Sequence, residues 1–149
     1  MEEVIAKRNK PITSKQMGDA CEMLVVAELT LAGIPAHKMP DNWPHYDVIA
    51  RLHDGALVKI SVKSRTYKSG SNWVDWHRDS EFDFLAAVIL DGSERSFYLI
   101  PRDVAEARAN RPKESTGRPW ERWHQIDRMD QLFADFKDNF TLSATGNAN

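Results

Sequence analysis

Residues 46–65 have the sequence Y-D-V-I-A-R-L-H-D-G-A-L-V-K-I-S-V-K-S-R, a stretch that predicts a β-hairpin. An Asp-Gly pair stands between two apolar runs, and it is a strong turn signal because glycine tolerates a positive φ. Alternate residues of a strand lie on alternate faces, so we expect Lys59, Ser61 and Lys63 to share one face. Antiparallel pairing brings Asp47, at the start of the first strand, close to Lys63 near the end of the second. The hairpin therefore presents one acid and one lysine side by side at one end of a sheet.

The composition is that of a single globular domain. The chain has 149 residues, of which 42% are hydrophobic, enough to fill an ordinary core. Its one cysteine, Cys21, cannot form an internal disulfide, and no Cys/His spacing resembles a zinc site. No apolar run is long enough for a membrane span, and the first residues lack an apolar signal region. We therefore predict a cytoplasmic protein that does not associate with membranes.

The domain is expected to cover residues 13–140, with a flexible N-terminal arm at 1–12 and a flexible tail at 141–149. Its first element is a helix, because Thr13 and Gln16 have capping-box spacing and a glycine twenty residues later provides a stop. Glu22 lies at the border of the apolar face of this helix, where a glutamate side chain is commonly exposed to solvent. A short extended segment and a loop with two prolines then lead into the hairpin.

The second half of the sequence predicts two more strands and two helices. Residues 84–90 are nearly all apolar, which suits a strand covered on both faces, and residues 96–100 form its partner. Pro101 is expected to open a helix at its first position. Residues 110–119 read as a polar loop, and residues 130–140 as an amphipathic helix. A helix, a set of strands and further helices in this order indicate an α/β sandwich.

Tryptophans are concentrated in two short segments. Trp73 and Trp76 stand beside a histidine and an arginine, where they could form a stacking platform for bases or a core strand that caps the sheet. We favour the core strand. We also place Trp120, Trp123 and Ile126 in the core, and a dimer contact through the two tryptophans is the alternative.

The charge is unevenly distributed along the chain. A net charge of −2 excludes a basic field over the whole surface, the usual footprint of a nucleic-acid-binding protein. The segment 59–78 differs, because it contains five basic side chains and a single acid, Asp75. These five could form a phosphate-binding surface or simply a solvated strand edge. They are Lys59, Lys63, Arg65, Lys68 and Arg78.

Four short motifs follow one another along the chain. The helix contains G-D-A-C-E at 18–22, the hairpin strands contain Y-D-V-I-A at 46–50 and I-S-V-K-S at 60–64, and a later strand contains F-Y-L-I-P at 97–101. In this order and on these elements, the motifs resemble those of the PD-(D/E)XK nuclease superfamily, over roughly residues 13–105.

Two positions depart from that pattern. Pro44 stands three residues before Asp47 instead of next to it. Ser61 occupies the position of the motif's Glu or Gln, which helps to hold the metal, and a serine would bind Mg²⁺ weakly or through water. Ser61 therefore leaves open whether the chain is an enzyme.

The resemblance implies a restriction-endonuclease-like core, an α/β fold with a mixed β-sheet flanked by helices. It implies metal-dependent hydrolysis of phosphodiester bonds in nucleic acid, with DNA favoured as the substrate and Mg²⁺ or Mn²⁺ as the cofactor. Asp47, Glu22 and the carbonyl of Val62 would hold the metal, and Lys63 would join the two acids as a catalytic residue. The side chains that would contact flanking phosphates are Lys59, Arg65, Lys68 and Arg78.

Other interpretations of the same residues stay open. A non-catalytic module could keep the fold and bind nucleic acid or a protein partner, as Ser61 and the acidic net charge favour. Asp47 and Lys63 could form a simple cross-strand ion pair, worth about 0.2–1 kcal/mol. The sequence does not separate duplex DNA from branched DNA or RNA, and cutting of both strands would suggest a homodimer.

Overall fold

The structure, a computed structural model, describes residues 12–68 and 72–147. Its strands are β1 (Ala36–Lys38), β2 (Val48–Arg51), β3 (Leu57–Thr66), β4 (Trp73–His77), β5 (Phe84–Asp91), β6 (Glu94–Pro101) and β7 (Glu121–Gln125). Its α-helices are α1 (Ser14–Leu31), α2 (Arg102–Ala107) and α3 (Met129–Phe133). Short 3-10 helices lie at Glu114–Thr116, Ile126–Arg128 and Ala134–Phe136.

Five of the strands form one mixed sheet in the order β1-β2-β3-β5-β6. β3 and β5 run parallel, and the other neighbours are antiparallel. β4 and β7 pair with each other as a separate antiparallel ribbon. The predicted α/β architecture, a mixed sheet flanked by helices, is confirmed.

The first helix, α1, begins and ends where the sequence predicts. The Thr13 hydroxyl accepts a hydrogen bond from the N–H of Gln16, and the Gln16 side chain accepts one from the N–H of Thr13, so the capping box forms. The helix ends before Gly33, whose φ of 94° is one that residues with a Cβ rarely adopt. Its buried positions, one on each successive turn, are Cys21, Val25 and Leu29.

The predicted hairpin is also confirmed. β2 and β3 are antiparallel, and Val48 pairs with Ile60. Ile60 and Val62 pack in the core cluster that contains the buried face of α1. Alternation along β3 then directs Ser61 and Lys63 to the opposite face of the sheet.

The five-stranded sheet separates two core clusters. The helix-side cluster lies between the sheet and α1, and the ribbon-side cluster lies between the sheet and β4, β7, α2 and α3. β5 contributes to both, with Ala86 and Val88 on the helix side and Leu85, Ala87 and Ile89 on the ribbon side. This confirms the prediction that β5 is covered on both faces.

A strand that the sequence did not predict, β7, returns the chain to the ribbon-side cluster. Trp120 and Trp123 are only half-buried, so their placement in the core was wrong, whereas Ile126 is buried as predicted. Arg122 and His124 are buried instead, with 5% and 0% of their surface exposed. The reason is the pairing of β7 with β4, which turns alternate residues of β7 inward.

The two C-terminal helices are shorter than predicted. α2 begins at Arg102, so Pro101 precedes the helix instead of opening it. The predicted helix over 130–140 is α3 followed by a 3-10 helix. Phe133 and Phe136 are nevertheless buried in the ribbon-side cluster, because residues three positions apart lie on the same side of a 3-10 helix as well as of an α-helix.

The predicted flexible ends fall partly outside the described residues, which exclude 1–11 and 148–149. Leu142 is buried in the helix-side cluster, and the N–H of Asn147 donates to the carbonyl of Asp135 at 2.7 Å. Residues 141–147 therefore pack against the domain. Within the described residues, no helix is both long enough and apolar enough to cross a membrane.

Candidate active site

Asp47 lies at an irregularity of the β2–β3 ladder. The ladder pairs Val48 with Ile60, and the N–H of Asp47 also donates to the Ile60 carbonyl, at 2.9 Å. Two residues therefore face one, the arrangement of a β-bulge, which changes the direction of a side chain. Oδ2 of Asp47 accepts a hydrogen bond from the N–H of Val62 at 2.8 Å. Because the N–H and C=O of a strand residue point to the same side, the Val62 carbonyl lies on the same edge of β3 as this carboxylate.

Glu22, on α1, lines a cavity of about 290 Å³ that Asp47 also lines. The Glu22 side chain is 18% exposed. Gly18 lies one turn earlier, and a Cβ there would stand 4.0 Å from Glu22 Oε2. Burial, together with the negative charge of Asp47, raises the pKa of Glu22 to about 7. Two carboxyl groups from distant parts of the chain therefore interact electrostatically.

Lys38, from β1, stands among the acids around this cavity. Its Nζ lies 3.4 Å from Asp19, 3.6 Å from Asp41 and 4.0 Å from Glu22. Burial alone would lower the pKa of Lys38, but a hydrogen bond to Asp19 and the surrounding carboxylates raise it. The Lys38 ammonium also lowers the pKa of Glu22, although burial and Asp47 outweigh it. Lys38 therefore offsets part of the negative charge around Glu22.

Ser61 and Lys63 line a second cavity, of about 190 Å³, to which Asp47 also contributes. Ser61 is 5% exposed, and Lys63 is half-buried. Part of the opposite wall comes from Trp76 and His77 of β4. One hydroxyl, one ammonium and one carboxylate therefore border the same small space.

Asp47 connects the two cavities, because it lines both of them. The structure thus brings Asp47 together with Glu22 on one side and with Ser61 and Lys63 on the other. No ion pair within 4.0 Å joins Asp47 to Lys63. Among the described residues, no group of three or more His, Cys, Asp or Glu side chains is placed to hold a metal ion.

Three of the predicted phosphate contacts lie at the protein surface. Lys59 extends over the ring of Tyr46, with Nζ 5.7 Å from the ring centre. Lys68 is exposed at the end of β3. Arg78 is exposed, and its Nε donates to Asp79 at 3.2 Å. These three cations can therefore reach a ligand at the surface.

The fourth predicted phosphate contact, Arg65, is engaged within the protein. Its guanidinium pairs with Asp75 and donates to the carbonyls of Trp73 and Ser64, at 3.0 and 2.7 Å. These bonds tie β3 to β4. Arg65 consequently has less capacity for a phosphate than the other three.

Sequence reasoning missed Lys38 and His45. Lys38 approaches the acids because β1 pairs with β2, and a three-residue strand leaves little sequence signal. His45, at the cavity of Lys63, has a φ of 74°, and the N–H of Tyr46 donates to the carbonyl of Pro44 at 3.0 Å. This is a γ-turn with positive φ, a rare and strained conformation of the kind found at functional sites. The sequence feature that comes closest to indicating this turn is Pro44, which directly precedes His45.

Comparison with known proteins identifies the fold. No family model matches the sequence, and the search of curated proteins gave no match. Among solved structures, a bacterial homing endonuclease is similar with a TM-score of 0.52 and 21% identity, over 72% of this chain and 88% of that chain. The Holliday junction resolvase Hjc from Archaeoglobus fulgidus gives a TM-score of 0.47 and 13% identity, over 74% of this chain and 88% of that chain. With its mixed sheet, its first helix and the likeness to the homing endonuclease, this chain has a restriction-endonuclease-like fold.

Proposed function

We propose that this chain hydrolyses phosphodiester bonds in nucleic acid, with DNA as its substrate and Mg²⁺ or Mn²⁺ as its cofactor. The observation that carries the proposal is the position of Asp47, which lines both the cavity of Glu22 and the cavity of Ser61 and Lys63. Acids and an ammonium group around one point are what phosphodiester hydrolysis requires. The likeness in fold to a homing endonuclease supports the same function.

The metal would be held by oxygen atoms of Asp47, Glu22 and the Val62 carbonyl. Mg²⁺ prefers oxygen ligands and keeps several waters, so one or two carboxylates suffice. The raised pKa of Glu22 fits a cation site, because a nearby cation favours the ionised form of both carboxylates. When bound, such an ion neutralises charge on the phosphate and lowers the pKa of a water.

Lys63 supplies the positive charge on the other side of Asp47. Its ammonium would lie beside the phosphate and stabilise the negative charge that develops when water attacks. The hydroxyl of Ser61 can donate a hydrogen bond to a phosphate oxygen, although it lacks the charge of the acid found in the motif.

Phosphates farther along the strand would contact the surface cations. Lys59, Lys68 and Arg78 would make these contacts, and binding through them should weaken as salt is added. Arg65 would contribute less to phosphate binding, because its guanidinium already pairs with Asp75.

A cleavage assay with Mg²⁺ and with Mn²⁺ on linear, nicked and branched DNA tests the proposal. Asp47→Asn keeps the size of the side chain but removes its charge, so we expect product to fall to the level of a protein-free control. Asp54→Asn, in the exposed hairpin turn, is the matched control and should cut as the parent does. The proposal fails if the parent cuts none of the substrates with either metal, or if Asp47→Asn cuts as well as the parent.

A second candidate function is a non-catalytic module that binds nucleic acid or a protein partner. Ser61 favours it, because the serine removes one metal-binding carboxylate. Lys38 favours it too, because its ammonium already stands within 4.0 Å of Asp19 and Glu22. Titration with Mn²⁺, followed by electron paramagnetic resonance of the free ion, separates the two functions. A nuclease should bind Mn²⁺ and lose that binding in Asp47→Asn, whereas the module should leave the ion free.

Assembly and location remain predictions from the sequence. We propose a homodimer for the case in which both strands of a duplex are cut, and sedimentation velocity measures it. We also propose a cytoplasmic location, which microscopy of a fluorescent fusion would test.

A further inference from the structure

The ribbon of β4 and β7 has two very different faces. One face is buried and holds Val74 and Trp76 of β4 opposite Arg122 and His124 of β7. The outward face of the ribbon contains two tryptophans, one on each strand. Trp73 is 47% exposed, and Trp123 is half-buried.

The two outward tryptophans are neighbours across the ribbon. Trp73 pairs with Gln125 and Trp123 pairs with Asp75, so the two indoles occupy diagonal positions on the same face. Both line one cavity of about 420 Å³. Two indole rings at one surface cleft are the arrangement that a base-stacking platform requires.

The acids at this cleft would repel a nucleic acid, but each is paired with an arginine. Asp75 pairs with Arg65, and Glu121 pairs with Arg118 at 3.3 Å. The Arg118 side chain remains 64% exposed. The cleft therefore offers aromatic rings and an exposed cation without a net negative charge.

The outward face of the ribbon is continuous with the candidate active site. By alternation along β4, His77 lies on the same outward face as Trp73 and Asp75. His77, at the end of β4, lines the cavity of Lys63 and stacks on Trp120, with ring centres 5.7 Å apart and planes 14° apart. An aromatic surface therefore extends from the candidate active site along the ribbon.

We infer that the outward face of the ribbon stacks the unpaired bases of a DNA strand that enters the candidate active site. The inference rests on the proposed function and narrows its substrate class to DNA with unpaired bases beside the cleaved bond. Bases in a duplex are already stacked on one another, whereas an unpaired base offers its face to an indole. Such stacking tolerates any sequence, because every base has a π face.

The test is the affinity of the protein for a labelled oligothymidine, measured by fluorescence anisotropy in EDTA so that no cleavage occurs. Trp73→Ala should weaken binding about 5- to 150-fold, the range found when an aromatic side chain that stacks one base is removed. Trp73→Phe keeps a ring and should retain most of the affinity. Leu57→Ala, which removes another exposed apolar side chain, is the control and should bind as the parent does.

Two results would overturn the inference. One is an affinity for oligothymidine that Trp73→Ala leaves unchanged while its circular dichroism spectrum matches that of the parent. The other is a concentration-dependent dimer of the parent that Trp73→Ala dissociates without loss of oligothymidine binding, because the tryptophans would then contact a second copy. Since the assay needs no cleavage, a parent that binds through Trp73 but cuts nothing contradicts the proposed function alone.

Discussion

The two faces of the five-stranded sheet are covered in different ways. On the helix side, α1 contributes an apolar stripe to the core, and one of its carboxyl groups, Glu22, lies at the rim beside a cavity. On the ribbon side, β7 carries two polar side chains into the interior, and His124 has no exposed surface. Polar groups are therefore buried in two different settings, at the rim of a cavity on the helix side and in the interior on the ribbon side.

The buried polar side chains of the ribbon side make specific hydrogen bonds, although Nδ1 of His124 has no hydrogen-bond partner among the described residues. Trp76 Nε1 donates to His124 Nε2 at 3.0 Å, and burial lowers the pKa of His124 to about 4. Arg122 Nε lies 2.9 Å from one oxygen of Glu106 and 3.0 Å from the other. Glu22 instead lies near a like charge, Asp47. A buried polar group that is hydrogen-bonded to a partner indicates a structural role, whereas a carboxyl group whose pKa is raised by burial and by a second carboxylate indicates a site.

The largest expected effect concerns the candidate active site. Lys63→Ala removes the ammonium that stabilises developing charge, so we expect the cleavage rate to fall about 100- to 1,000-fold. Single-turnover cleavage measures it, with Lys113→Ala in an exposed loop as the control. A variant as fast as the parent would show that the cavity on the ribbon side takes no part in the chemistry.

The next effect concerns stability on the ribbon side. His124→Ala creates a cavity and leaves the Trp76 N–H without its acceptor, so we expect a loss of about 2–4 kcal/mol in the free energy of unfolding. Urea denaturation measures it, with His53→Ala in the exposed hairpin turn as the control. A loss no larger than that of the control would contradict a structural role for His124.

His124 also predicts a pH dependence. The folded protein resists protonating His124 until about pH 4, whereas the unfolded chain takes up this proton near pH 6.5. Protons therefore favour the unfolded state in this window, and the stabilisation from His124 should be lost as the pH falls from 6.5 towards 4. Replacing His124 should flatten that part of the stability curve, and an unchanged slope would argue against the lowered pKa.

A smaller effect is expected from restoring the acid of the motif. Ser61→Glu should raise Mg²⁺ affinity, and cleavage at limiting Mg²⁺, by about 10- to 100-fold, since the cavity beside Ser61 has room for the carboxylate. Ser61→Leu adds a side chain without an oxygen and serves as the control. Equal metal affinity in the two variants would show that position 61 does not face the ion.

The smallest effect concerns the carboxyl group at the rim of the helix side. The folded protein binds a proton on Glu22 up to about pH 7, above its ordinary value of 4.5, so Glu22 destabilises the fold as the pH rises through this window. Glu22→Gln removes that penalty, and we expect a Tm about 2–4 °C above that of the parent at pH 8. The two proteins should converge below pH 4.5. Glu81→Gln, at an exposed position, should track the parent at every pH.

Much of the helix side could be predicted from the sequence, because its signals are local. The capping box of Thr13 and Gln16 fixes the start of α1 within one turn. The Asp-Gly turn and the alternation of β3 place Ser61 and Lys63 on one face. On the ribbon side the local sequence pattern gave a wrong prediction, because a tryptophan such as Trp123 is typical of a core. The pairing of β7 with β4 instead turns Arg122 and His124 inward.

By itself the sequence determined the first helix, the hairpin, the strand covered on both faces and the order of the four motifs. Each of these depends on residues a few positions apart, where hydrogen bonding and alternation act directly. Only the tertiary structure decided that Glu22 and Asp47 share a cavity and that Lys38 joins them. Those contacts link α1, β1 and β2, so they exist only once a helix packs on a sheet and a bulge turns Asp47 towards both cavities.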